Sequence, residues 1–261
     1  MLKKLPKISI ITPSYNQANY IERTILSVLS QNYPNVEYIV MDGGSNDGTI
    51  NILNKYQKRL KWFSKKDKGQ SNALNNGFKI ASGEIFAYIN SDDYYETGAF
   101  KTVSEFFQRN RDAKWVTGNC RIVDSMGSEV RNLIKVYKKL FLKYIRYYPL
   151  YYIVQFIPQP STFWKREVMQ DIGYFDESLN YDMDYDFWLR VWKKYKLSYI
   201  DHNLASYRIH DRAKAVLSPE TQFKIEYEIA KRHTDSKILL LMHQFHFRIA
   251  LFFYRLFFIK K

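Results

Sequence analysis

Apolar residues in the first hundred positions fall into two recurring patterns, short continuous blocks and longer stretches of helical spacing. Lys7-Ile8-Ser9-Ile10-Ile11-Thr12 is rich in β-branched residues and stops at Pro13, which predicts a buried strand. Asn19 to Ser30 then has helical spacing. A second block, Val36 to Met41, ends in the turn-forming run Asp42-Gly43-Gly44-Ser45-Asn46-Asp47-Gly48, and Ile50, Leu53 and Tyr56 follow at helix period. The cycle repeats with a short strand at Lys61 to Ser64, a helix from Ser71 to Ala81 and a strand from Glu84 to Ile89. Such alternation predicts an α/β fold with a largely parallel, helix-flanked sheet and ligand sites at the strand carboxyl ends.

After about Phe100 the alternation is less regular. Ser161 to Trp164 reads as a strand, Asp186 to Tyr195 as a helix and Ser198-Tyr199-Ile200 as a strand. From Lys237 to Lys261 the chain is rich in Leu, Phe and Ile, but Arg248 and Arg255 interrupt it, so no apolar run reaches the roughly 18 residues of a spanning helix. At about 100° per residue Lys237, Gln244, Arg248 and Arg255 share one narrow sector and leave a broad apolar face. That face suits a membrane interface, and it equally suits packing on the body of the protein or on a second subunit.

Composition narrows the partners. Forty Lys and Arg against 26 Asp and Glu give a net charge of +14, which attracts nucleic acid, anionic lipid or a phosphorylated substrate alike. The basic residues are interleaved with aromatic and aliphatic ones in Lys135 to Tyr152 and again in the tail, a pattern that favours a membrane surface over nucleic acid. The lone Cys120 excludes an internal disulfide, follows a strand-like Trp115-Val116-Thr117, and reads as a small buried thiol rather than a nucleophile. Ile8 to Ile11 is too short for a signal segment, so a cytosolic location or the cytosolic face of a membrane is expected.

The chemistry concentrates at strand ends. The strand ending at Ile89 turns abruptly polar at Asn90-Ser91-Asp92-Asp93, where hard oxygen donors suit Mg²⁺ or Mn²⁺, although the same residues also suit a helix cap. Asp182, Asp184 and Asp186 alternate ahead of Phe187-Trp188-Leu189-Arg190. There Asp186 reads as a helix N-cap, and Trp188 as either a core residue or an acceptor platform. His210, in Tyr207-Arg208-Ile209-His210, reads on its own as a surface residue.

Together these residues resemble glycosyltransferase family 2. The resemblance rests on Thr12-Pro13-Ser14-Tyr15-Asn16, on Asp42 to Thr49, on Gly69, Ala73, Asn75, Gly77, Ala81, Gly83 and Glu84, and on the acidic turn. It spans roughly residues 7 to 212 and implies a Rossmann-like GT-A fold in residues 1–215. Residues 1–100 would be its nucleotide-binding half and 101–215 its acceptor-binding half, with 216–261 an amphipathic helical tail suited to associate with a membrane or with a second subunit.

The resemblance also implies inverting transfer of a sugar from a nucleotide donor, UDP-linked first and dTDP- or GDP-linked next, to a lipid-linked or polysaccharide acceptor in cell-surface glycan synthesis. By the same resemblance Pro13, Tyr15 and Asp42 line the base pocket, and Asn90 and Asp92 contact the donor. Asp92, Asp93 and His210 hold Mn²⁺ or Mg²⁺, and Asp184 is the general base, with Asp182 or Asp186 as possible sharers of that role. Arg208 and Arg212 are alternatives to His210 for neutralising the leaving group. Asn90, Gly43 and Leu74 depart from the family pattern, which often has Asp, Asp and Arg there. A sugar-binding protein that has lost catalysis and a nucleotidyltransferase are the competing readings.

Overall fold

The computed structural model describes residues 5–179, 181–211 and 219–257. Arg212, residues 216–218 and the end of the expected tail lie outside that set. The first half runs β1 (Ile8–Ser14), α1 (Ile21–Leu29), β2 (Val36–Asp42), α2 (Thr49–Lys55), β3 (Lys61–Ser64), α3 (Gln70–Ile80) and β4 (Ile85–Tyr88). After the two-residue β5 (Tyr94–Tyr95) come α4 (Ala99–Arg109), β6 (Trp115–Val123) and α5 (Asn132–Leu140), which passes into a π-turn over Phe141–Ile145. The chain continues with α6 (Tyr148–Tyr151), β7 (Thr162–Lys165), α7 (Arg166–Ile172), α8 (Met183–Lys194), β8 (Ser198–Arg208), α9 (Pro219–His233) and α10 (Lys237–Phe257).

One eight-stranded sheet carries the order β3-β2-β1-β4-β7-β6-β8-β5. Strand β1 lies between β2 and β4, parallel to both, and every one of its residues is buried. A strand covered on both faces has no reason to alternate, which is why its sequence is a continuous apolar run. Sheet polarity changes at β7, antiparallel to both β4 and β6, and there the sequence loses its strand–helix regularity. Helix α1 turns Ile21, Thr24, Ile25 and Val28 to the core at helical spacing, and α3 likewise buries Leu74 and Phe78.

Gly83 is fitted to β1: a Cβ there would lie 2.7 Å from the Ser9 backbone nitrogen, too close for any side chain. The aromatic core of the second half gathers around Trp188, fully buried and stacked on Trp115 at 5.4 Å between ring centroids. Trp188 is therefore a core residue, and the alternative acceptor role does not hold. Leu74 is fully buried too, so its side chain serves the core.

Helix α8 begins at Met183, one turn before the expected Asp186. Its N-cap is Asp182, held at φ 53°, a left-handed conformation that sequence patterning does not reveal in an aspartate. Helix α9, placed by the sequence in the tail, packs against α8 and adds to the second half of the fold.

Candidate active site

Strands β1, β2 and β3 end in register, with Ser14 beside Asp42 and Asp42 beside Ser64. The buried Asp42 carboxylate accepts hydrogen bonds from the Gly44 and Ser45 backbone N–H groups at 3.0 and 2.9 Å and from Ser64 Oγ at 2.7 Å. These bonds shape the Gly-rich loop. Asn16 fastens that loop to β1: at φ 53° its N–H donates to Ser45 Oγ and its Oδ1 accepts from the Asn46 N–H at 2.9 Å.

Above this floor opens a cleft of about 620 Å³, lined by Pro13, Tyr15, Asp67, Gln70, Asn90, Asp92, Asp182 and Asp184 among others. Pro13 and Tyr15 border the cleft, whereas Asp42 lies beneath the lining. A carboxylate nevertheless faces the cleft there. A Cβ built on Gly43 would come within 2.9 Å of Asp67 Oδ2, so the glycine that departs from the family pattern leaves room for Asp67.

The acidic turn divides its labour. Asn90 Oδ1 accepts from Gln70 Nε2 at 2.7 Å, and Gln159, anchored on the Tyr88 carbonyl at 2.8 Å, flanks the Asn90 amide. Asp92 faces the cleft with its Oδ2 3.1 Å from His210 Nε2, and the His210 ring stacks on Tyr20 at 4.3 Å. Asp93 turns the other way. Fully buried, it accepts from the Arg208 backbone N–H at 2.8 Å and ties the turn to β8. Burial and the neighbouring Asp92 push its carboxyl well above the usual range. Of the three expected metal ligands, the structure brings Asp92 and His210 together and sets Asp93 behind them. No group of three His, Cys, Asp or Glu forms a metal cage among the described residues.

Arg208 lies 3% exposed between the rings of Tyr20 and Tyr94, 5.1 and 5.5 Å from their centroids. Its Nε and Nη2 meet no hydrogen-bond partner among the described residues.

The other wall is the first turn of α8. Asp182 and Asp184 line the cleft, Asp182 accepting from Gln222 Nε2 of α9 at 2.9 Å. Burial, and then the charge of Asp184, pushes Asp182 up to about 8. Burial also raises Asp184, while the N–H groups of its helical turn and Lys138 pull it back. Asp186 is elsewhere: it bridges Arg190 Nε at 2.9 Å and His233 Nε2 at 2.7 Å, and despite its burial these partners hold its carboxyl below the usual range. It anchors α9 to α8. Cys120 also borders the cleft, but burial pushes its thiol up to about 12, so no thiolate forms near neutral pH.

The raised Asp182 has a consequence for stability. A carboxyl that titrates near 8 when folded and near 3.8 when unfolded contributes stability at low pH that is lost as the pH rises through 8. Asp182→Asn tolerates the left-handed cap and keeps an oxygen for Gln222. It is expected to raise Tm by a few degrees near pH 8 with no gain near pH 4, which thermal melts at both pH values would show.

A sequence profile described as Glycosyl transferase family 2 matches residues 9–173, well over half of the chain. The chain belongs to glycosyl transferase family 2. An uncharacterized family relative from Rickettsia typhi is 32% identical over 95% of this chain and 80% of its own length, and one from Methanocaldococcus jannaschii is 25% identical over 97% and 86%. Other relatives are longer: the chain spans only 34% of a glycosyltransferase from Rickettsia felis.

Among solved structures the fold matches S. aureus TarS 1-349 in complex with UDP-GlcNAc, with TM-score 0.67, 22% identity, and coverage of 96% of this chain and 73% of that one. It also matches the mannosyltransferase PcManGT from Pyrobaculum calidifontis in complex with GDP-Man and Mn2+, with TM-score 0.71, 16% identity, and coverage of 99% and 77%. At these identities the likeness carries the GT-A fold. The family motifs on β1, β2 and the acidic turn thus share one cleft. Sequence reading missed Asp67, Lys138 and Gln222, because each meets the site through contacts distant in sequence. The one local signal was the turn Asp67-Lys68-Gly69 beyond β3.

Proposed function

We propose that this family 2 chain is an inverting transferase that moves a sugar from a nucleotide-diphosphate donor to an acceptor hydroxyl. The observation that carries the reading is that Asp92, backed by the buried His210, and Asp184 face one cleft from different elements. Pro13, Tyr15 and Asp67 bound the end that takes the base, UDP-linked donors first and dTDP- or GDP-linked ones next. Asn90 offers its amide to the ribose. Two protein ligands, with donor phosphate oxygens and water completing the shell, fit Mn²⁺ or Mg²⁺, which typically keep several non-protein ligands. When bound, such a cation offsets charge on the departing diphosphate. Arg208 supports that same charge from behind Tyr20. Asp184 accepts the proton of the acceptor hydroxyl as it attacks the anomeric carbon from the face opposite the diphosphate.

The acceptor in this reading is a lipid-linked or polysaccharide glycan, met at the cytosolic face of a membrane during cell-surface glycan synthesis. No helix among the described residues is long and apolar enough to cross a membrane. Helix α10 instead leaves Ile238, Leu241, Phe245 and Phe252 between 64% and 71% exposed along one stripe. Tyr137 of α5 reaches His246 of α10 at 3.3 Å, joining that stripe to exposed Leu133, Val136 and Tyr144 beside Lys143 and Arg146. Apolar area rimmed by cations suits an anionic bilayer surface. The chain is expected to float with phosphatidylglycerol vesicles, and Leu241→Glu with Phe245→Glu to abolish flotation. A wild-type dimer that ignores vesicles would assign the stripe to a second subunit instead.

Release of nucleoside diphosphate, rather than pyrophosphate, from a panel of nucleotide sugars with Mn²⁺ and a membrane extract tests the transferase reading. Release of pyrophosphate, or no release with any donor, would overturn it.

A further inference from the structure

Every lysine and arginine lining the cleft comes from one short stretch. Arg131, at the N-cap of α5, and Lys135, Lys138 and Lys139 along the helix fall within a sector of roughly 100° at helical spacing. The opposite face carries Leu133, Val136 and Leu140, respectively 86%, 51% and 48% exposed. Helix α5 is thus a cleft wall, cationic inside and apolar outside. Lys135 pairs with Glu129 and Lys139 with Asp201, whereas no salt bridge takes Lys138 among the described residues. Lys138 stands beside the acceptor-side carboxyls, interacting with Asp184 and with Glu226 of α9.

Four cations set along one wall repel one another, and the row concentrates positive potential on that side of the cleft. The row gains from an anion arriving in the cleft. The donor diphosphate has its own place in the proposed mechanism, at Asp92, His210 and Arg208 on the β4 and β8 ends. Helix α5 follows β6 and lines the cleft together with Asp184, beside which the attacking hydroxyl sits in the proposed mechanism.

We propose that the acceptor carries a phosphate close to its attacking hydroxyl, and that Arg131, Lys135, Lys138 and Lys139 hold it. The inference rests on the transferase reading, and it adds the chemical class of the acceptor. A phosphate borne by a lipid and one borne by a soluble glycan share this chemistry. The apolar outer face of α5 suits the first.

The test uses the whole chain, saturated with UDP and Mn²⁺ so that the donor half is filled. Isothermal titration then compares glucose 1-phosphate with glucose, and flotation compares phosphatidylcholine vesicles with and without a minor fraction of polyprenyl phosphate. Expected is binding roughly tenfold tighter for the phosphate-bearing member of at least one pair. The double variant Lys138→Gln with Arg131→Gln removes the preference, Lys138→Arg retains it, and UDP affinity is unchanged in both. A preference seen only in vesicles names a lipid source, and one seen only in solution names a glycan source.

Equal binding in both pairs overturns the proposal. So does a double variant that loses UDP affinity by the same factor, since α5 would then serve the donor. Failure of the wild-type chain to bind any of UDP, dTDP and GDP with Mn²⁺ overturns the transferase reading first; where it binds dTDP or GDP instead, that nucleotide replaces UDP in the test.

Discussion

Asp184→Asn is expected to lower kcat by about 10²- to 10⁴-fold while leaving nucleotide binding intact. Asparagine fills the same space in the first turn of α8 but cannot take a proton from the acceptor. Asp184 works as a base only when ionised, and its burial raises its pKa above the ordinary carboxylate value of 3.8. The wild-type rate should therefore climb with pH through a limb displaced upward from about 4 and then level off, and that limb should vanish with Asp184→Asn. Asp182→Asn should keep most of the activity, because Asp182 titrates near 8 and holds its proton over much of the working range. Steady-state kinetics from pH 5 to 9, a window spanning the usual tuned-base range, checks both. Full turnover by Asp184→Asn would remove it from the mechanism.

Asp92→Ala should have the second large effect, weakening nucleoside diphosphate binding in Mn²⁺ by about 100-fold and abolishing the metal dependence of what is left. The reason lies in how the turn distributes its charge. Asn90 brings none, and Asp93 is buried against the Arg208 backbone with its carboxyl pushed toward the neutral form. Asp92 is thus the turn's one carboxylate facing the cleft. His210→Gln, which keeps a polar group beside Asp92, should cost less, about tenfold. Titrations with and without Mn²⁺ separate these outcomes.

The first half of the fold was legible because its strands are covered on both faces. Their sequences become continuous β-branched blocks, bounded by turn residues at the carboxyl ends where ligands bind. Even the departures at Asn90 and Gly43 could be seen, though not their reasons, since the Asp67 carboxylate meets position 43 across a loop. The second half was less legible. Strand β7 reverses the sheet direction, α8 starts on a left-handed aspartate, and Gln222 reaches Asp182 across 40 positions. Asp42 and Asp93 look like ligands in sequence because acidic residues at strand ends resemble one another. Only their hydrogen bonds distinguish the carboxylates that hold loops from those that face the cleft.

In the proposed mechanism the diphosphate of a nucleotide sugar sits at the Asn90–Asp92 turn with a divalent cation. Thermal denaturation with UDP, dTDP and GDP, each with and without Mn²⁺, in the wild type and in Asp92→Ala, tests it most directly. Ligand at a hundred times its Kd adds about 2.7 kcal/mol to the folded state, or roughly 5 to 10 °C in Tm for a chain of this size. A rise of that order for one nucleotide, present only with Mn²⁺ and lost in Asp92→Ala, is the predicted result. Equal shifts in both proteins, or a shift indifferent to Mn²⁺, would contradict it.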